Sequence, residues 1–174
     1  MDVSQNNRKA GHEGKYLTFS LAGEEYGVVI VKVKEIIGMM TITSVPKTPA
    51  WVKGVINLRG KVIPVTDLRL KFDMDAMAYT DRTCIIVMEI TGTDDPFLMG
   101  IVVDTVSEVL TIKGADIEKA PDFGSPLDTE YIMGMAKTEG RVKILLDIDK
   151  VLTREDLSML AATAGREGPD GEAG

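Results

Sequence analysis

The chain has 174 residues, 44% of them hydrophobic and 27% charged, with a formal net charge of −7. That length makes one domain or two small ones, with about 70% of the unfolded surface available for burial, and the acidic balance argues against nucleic acid or an anionic membrane as the main partner. The lone Cys84 excludes a disulfide framework or a thiolate metal site within the chain, no apolar run approaches a membrane span, and the polar N-terminus does not read as a secretory signal, so a soluble, cytoplasmic protein is expected.

Residues 1–14 are polar and read as a disordered arm. Residues 16–21 alternate as a strand, Ala22-Gly23-Glu24-Glu25 supplies a turn, and 26–30 return, giving a first hairpin. Residues 31–38 fit either a short helical turn or a bent strand. Residues 41–50 carry Pro46 and Pro49 and read as a loop or an irregular edge. Then comes WVKGVINLRGKVIPVTDLR, residues 51–69, two runs rich in β-branched residues joined at Arg59-Gly60-Lys61. Gly60 supplies the positive φ of a tight turn, and Pro64, which cannot donate to a ladder, belongs at an edge or a bulge. One helical turn is expected at 68–72 and a mixed linker at 73–81.

Residues 82–90 read as a strand, 91–96 as a turn, and 97–112 as a long strand that bends near Val103 or Asp104. Residues 114–130 are loop-like, with Pro121, Gly124 and Pro126. Residues 131–137 and 141–146 make the last hairpin. Thr153 with Asp156 has the spacing of a capping box. Leu157, Leu160 and Ala161 then mark one face of a short helix over 153–164, ahead of a frayed tail at 165–174.

Two stretches repeat. Trp51-Val52-Lys53-Gly54 matches Tyr131-Ile132-Met133-Gly134, 80 positions on, and at that offset Gly60 falls on Gly140 and Asp67 on Asp147. GVVIVKVKEII at 27–37 matches GIVVDTVSEVL at 100–110, 73 positions on. The chain therefore reads as an internally duplicated all-β unit. Its short, twisted strands close into two packed five-stranded barrels, which removes exposed edges. One barrel is expected over 15–81 and the other over 82–152, with a groove between them as the natural binding place.

Catalytic chemistry is hard to place. His12, the only histidine, falls in the polar arm, and Cys84 lies mid-strand among apolar neighbours. No phosphate-binding glycine loop precedes a Lys-Ser/Thr. Asp94-Asp95 reads as a solvated turn, and Asp67 and Asp147 as caps of the turns that follow their strands. Trp51 and Tyr131 read as core or lid residues, and Gly54, Gly60, Gly134 and Gly140 as backbone requirements. These features describe a binding module without cofactor or metal. A small-barrel oligonucleotide binder would need a basic, aromatic face, and only 5% of residues are aromatic.

GVINLRGKVIPVTDLR, preceded by TPAWVKG, resembles the signature of the chemotaxis coupling proteins of the CheW family. The segments EEYGVVIVKVKEI, GIVVDTVSEVLTI and TEYIMGMAK are similar to further family landmarks in the same order, and the resemblance covers roughly residues 15–160. It implies two SH3-like barrels and an adaptor without catalysis, which links the cytoplasmic tip of transmembrane chemoreceptors to the regulatory domain of a histidine autokinase. Such a protein would be cytoplasmic and monomeric when isolated, and recruited into rings in receptor arrays at the inner membrane. A parallel pathway serving pili or another output is the alternative. The resemblance links Arg59 to receptor binding, with Glu35 as its partner and Val33 as a further contact. Val106 and Val109 are expected to add apolar surface along the groove. Asp122 and Phe123, in a proline-flanked loop, are the expected kinase contact, an exposed loop aromatic being a frequent interface anchor.

Overall fold

A computed structural model describes residues 12–119 and 130–162. The first half of the chain forms β1 (Gly14–Leu21), β2 (Glu24–Val29), a 3-10 turn (Ile30–Lys32), β3 (Val33–Gly38), β4 (Val52–Leu58), β5 (Lys61–Asp67) and a single helical turn, α1 (Leu68–Lys71). The second half forms β6 (Cys84–Ile90), β7 (Phe97–Val103), β8 (Thr105–Ile112), a 3-10 turn (Gly114–Asp116), the two-residue β9 (Ile117–Glu118), β10 (Ile132–Thr138), β11 (Arg141–Leu146), α2 (Ile148–Val151) and α3 (Arg154–Ala161). β1 thus begins inside the stretch expected to be a disordered arm. Residues 31–38 contain both of the anticipated structures, a tight turn and then a strand.

The strands form two sheets, ordered β8-β1-β2-β11-β10-β9 and β3-β6-β7-β5-β4, each the curled sheet of a small SH3-like barrel. The expected division of the chain at 81/82 is not how they pair. The opening hairpin of the first half, β1–β2, lies in the sheet of the second half, and the opening hairpin of the second half, β6–β7, lies in the sheet of the first. The cause is the connection after each hairpin. Only Asp104 separates β7 from β8, and only three residues of 3-10 turn separate β2 from β3. Tight hairpin loops of two or three residues use a residue with positive φ. None of these link residues has one, and each strand bends out of its sheet and continues in the other one. The exchange is symmetric: β2 meets β11 in parallel at Gly27 and Leu145, and β7 meets β5 in parallel at Gly100 and Val65.

The core follows from this exchange. The largest apolar cluster joins Leu17, Phe19 and Leu21 of β1 to Ile86, Met88 and Ile90 of β6, with Leu157 and Leu160 of α3 packed on it. Ile85 and Val87 of β6 face the other way, into one barrel with Ile56, Ile63 and Val65. The other barrel is filled by Tyr16, Ile112, Ile117, Ala136 and Leu145. β6 is buried on both faces, so its sequence is a continuous apolar run rather than an alternation. Phe19, Tyr26, Phe72 and Tyr131 stack in series across the barrels, with centroids 5.9, 6.3 and 5.4 Å apart.

The repeated positions do matching work. Asp67 and Asp147 cap α1 and α2, and the amide of each donates to the carbonyl of Trp51 or Tyr131 at 2.8 Å. Thr153 and Asp156 form the capping box of α3. Gly54 has φ +137, and Thr43 bridges across it to Val55; a Cβ on Gly54 would lie 2.0 Å from the Thr43 carbonyl oxygen. Gly134 is crowded in the same way by Ile117 and Glu118 of β9. Pro64 sits one residue before the parallel β5–β7 pairing begins, where no ladder bond needs its missing donor.

Two ion pairs pin the crossing points. Arg69 of α1 forks onto Asp104, Nε to Oδ1 at 2.8 Å and Nη2 to Oδ2 at 2.9 Å, and the Ala22 amide in the β1–β2 turn donates to the same carboxylate at 2.8 Å. At the other crossing, Lys32 reaches Asp149 of α2 at 2.7 Å, and the amides of Thr91 and Gly92 in the β6–β7 turn donate to Asp149 at 2.7 and 3.0 Å. The signs are exchanged between the two clasps. Burial alone would push the Asp104 and Asp149 carboxyls up, but Arg69 or Lys32 together with the turn amides outweighs it and holds both below the usual carboxylate range.

Gly54→Ala should lower unfolding free energy by about 3 kcal/mol through overpacking. Gly38→Ala, where a Cβ meets nothing within 4 Å, should change it by less than about 0.5 kcal/mol; urea unfolding of both variants checks this. The clasp carboxylates have depressed folded pKa values. Their stabilisation is therefore present above the ordinary carboxylate range and is lost as pH falls through the folded values. Asp104→Asn should cost about 1.5–3 kcal/mol at pH 7, and the deficit should shrink toward pH 3 in urea titrations at stepped pH.

Candidate functional site

The β4–β5 turn presents Arg59. Its two central residues, Arg59 and Gly60, have φ +52 and +88, the left-handed pair of a tight hairpin turn matched to strand twist. For a non-glycine residue this conformation costs about 1–2 kcal/mol. The Asn57 carboxamide oxygen accepts from the Gly60 amide at 2.8 Å and braces the turn. The chain direction at Arg59 is thus fixed before its side chain makes any contact.

That side chain meets Glu35 on β3. Nη1 donates to Oε2 at 3.2 Å and Nη2 donates to Oε1, so the fork is two-pronged. The hydrogen bond from Arg59 holds the Glu35 carboxyl below its usual range, and Glu35 pushes the guanidinium up. The arginine side chain is 70% exposed and the glutamate 32%; the acid backs the arginine while the arginine faces water. Glu35 follows a register shift between Val33 and Glu35 in the β3–β6 ladder. Through that shift Val33 packs on the shared core while Ile37 reaches one barrel interior.

The other expected residues are spread more widely. Val33 lies on β3, at the edge of one sheet, and Val106 and Val109 lie on β8, at the edge of the other. Val33 and Val106 both pack on the shared core, whereas Val109 is exposed. Asp122 and Phe123 lie outside the described residues. Sequence reasoning missed Ile36 and Val31, which are apolar but 43% and 72% exposed near Glu35 in the chain; an apolar periodic segment reads as core, so its local pattern hid them. It also missed a cleft of about 470 Å³ beside the Arg59 turn, lined by Lys61, Val62, Glu89, Asp95 and Phe97. The cleft opens where β5 and β7 have not yet paired.

The second barrel repeats the turn without the pair. Glu139 and Gly140 have φ +53 and +76, and Glu108 takes the place of Glu35. Both positions are acidic, and the repeat of the backbone carries no repeat of the chemistry. The Arg59–Glu35 pair is exposed and belongs to one barrel end alone. Arg59→Ala and Glu35→Ala should each leave the thermal unfolding midpoint unchanged, which calorimetry of the purified variants checks.

Residues 15–156 match the family model of the CheW-like domain. The chain is 40% identical over 146 residues to the chemotaxis protein CheW of Klebsiella aerogenes, covering 84% of this chain and 86% of that protein. It is 36% identical to the CheW of Rhizobium meliloti, covering 80% and 88%. Among solved structures it is similar to the scaffolding protein TtCheW from Thermoanaerobacter tengcongensis, with a TM-score of 0.71 and 37% identity over 80% of this chain and 92% of that one. With two barrels, the repeated hairpins and agreement along most of the chain, this protein belongs to the CheW-like family.

Proposed function

We propose that this chain is a non-catalytic adaptor of chemotaxis signalling that couples transmembrane chemoreceptors to a histidine autokinase. Its relatives are named chemotaxis proteins and the matching structure is titled a scaffolding protein, which supports the reading. The observation that carries it is Arg59, an exposed guanidinium whose direction is set twice, by a left-handed turn and by the Glu35 fork. A guanidinium has five N–H donors, and Glu35 engages only one edge. The remaining donors suit a carboxylate or carbonyls on a receptor helix, with Val33, Val106 and Val109 supplying apolar contact. Glu35 can keep Arg59 oriented in the free protein and compete with the partner's acid in the complex.

The kinase contact in this reading is the segment carrying Asp122 and Phe123. None of the described helices is long and apolar enough to cross a membrane, and the protein reaches the membrane array by binding the receptors. Its place is the cytoplasm, where the receptor tips and the kinase are.

The reading is tested by calorimetric titration of the protein with a chemoreceptor cytoplasmic tip and, separately, with the regulatory domain of the cognate kinase. Binding to both is expected. Arg59→Ala should weaken receptor binding at least tenfold and leave kinase-domain binding within a factor of two. Arg59→Lys should not restore it, because an ammonium lacks the planar fork. Receptor binding undiminished by Arg59→Ala would remove Arg59 from the interface.

A further inference from the structure

The two halves of the chain are joined covalently only by residues 73–82. This linker is exposed along its length except at Met74. It leaves α1 through Asp73, a non-glycine residue at φ +60. Met74 packs on the shared core, and the polar contacts that hold the linker down are few and lie almost wholly within the first half. The Met74 amide donates to the Arg69 carbonyl at 2.8 Å, Arg69 Nη1 donates to the Asp75 carbonyl at 2.7 Å, and the Tyr79 hydroxyl donates to Asp67 at 3.0 Å. Lys53 lies 5.8 Å from the centre of the Tyr79 ring. At its far end the linker closes on itself in a turn between Thr80 and Thr83.

Everything else that unites the halves is noncovalent and reciprocal. β1 pairs with β8, β2 with β11, β3 with β6 and β5 with β7. The Arg69–Asp104 and Lys32–Asp149 clasps also run between halves. None of these contacts requires the two halves to belong to one molecule. We propose that residues 73–82 are an exchange hinge and that a second copy of this chain is a partner. Two chains open their linkers, each first half takes up the other's second half, and both double barrels are rebuilt with every strand pairing intact.

The geometry permits it. Ten extended residues span up to about 33–36 Å, roughly the diameter of a small domain, so two linkers can pass between adjacent bodies. The exchange forfeits the Tyr79–Asp67 and Arg69–Asp75 contacts and releases the left-handed Asp73. Swapping an identical element between copies is a low-cost route to a dimer for this reason. Closure within one chain wins in dilute solution because its effective concentration is high, and the linker contacts favour the closed form. In the exchanged dimer each Arg59–Glu35 pair stays intact, since both residues come from one half, while Val33 and Val106 of one body come from different chains.

Two full-length variants test the proposal. Leu17→Asp disables the first half and Ile86→Asp the second, each placing a charge in the shared core. Refolded together, they should yield a dimer with one native body, recovering about half the wild-type near-ultraviolet signal. A mixture as unfolded as its separate components would overturn the proposal.

Discussion

The two points where the chain leaves one sheet for the other govern this structure. At Asp104 a single residue separates β7 from β8, and at Ile30–Lys32 one 3-10 turn separates β2 from β3. Neither link has the positive-φ residue of a tight hairpin turn, and each half lends its opening hairpin to its neighbour. From this follow a core shared by β1 and β6 and the parallel contacts of β2 with β11 and β5 with β7. The partly buried clasps follow too: each sets a carboxylate against a cation and the amides of a turn from the exchanged hairpin. Breaking one forfeits charge-assisted hydrogen bonds, and the clasps therefore favour one arrangement of the crossing over looser ones.

The candidate site uses the same framework for a different purpose. The β4–β5 hairpin is anchored at its base by the Trp51 carbonyl and the Asp67 cap, with the Lys71 ammonium 4.6 Å from the centre of the Trp51 ring. Its tip is free to project. Fixing Arg59 there reduces the side-chain freedom that would be lost on binding. An exposed ion pair of this kind adds little to the fold, so its geometry is best understood through what it presents to a partner. The opposite barrel keeps the hairpin and replaces the pair with acids, which gives the two ends of the molecule different chemistry on similar backbones.

What could be read in the sequence was local. Gly60 after Arg59 announced the turn, the stretch at Val103 or Asp104 the bend, Asp67 and Asp147 the caps, and Thr153 with Asp156 the start of α3, because each signal is carried by residues close together in the chain. Periodicity likewise found the strands other than β9, whose two residues lie in the stretch read as a loop and add a sixth strand to one sheet, and the duplication found the two barrels. The identity of each strand's partner was not legible, since alternation tells which face is buried and nothing about which sheet receives it; dividing the chain at residue 81 followed from that gap. The clasps were hidden for a related reason, as Lys32 and Asp149 are ordinary surface residues until the crossing brings them together. The resemblance pointed to Arg59 and Glu35, and the structure adds how a left-handed turn and a strand bulge bring the two within reach. Val31 and Ile36 escaped because an apolar residue beside a core strand looks like core.

The exchange of hairpins also bears on descent. A single half of this chain would carry a hairpin with no sheet to join and a sheet with no hairpin to complete it. A second identical chain satisfies both needs at once, so an ancestor of half this length would be a symmetric pair of polypeptides. Joining such a pair through one linker would end the requirement that both members be identical. The glycines and caps are alike in the two halves because the backbone demands them, while the tips differ, one being arginine and the other glutamate. On this view the difference between Arg59 and Glu139 records how a symmetric assembly acquired a direction.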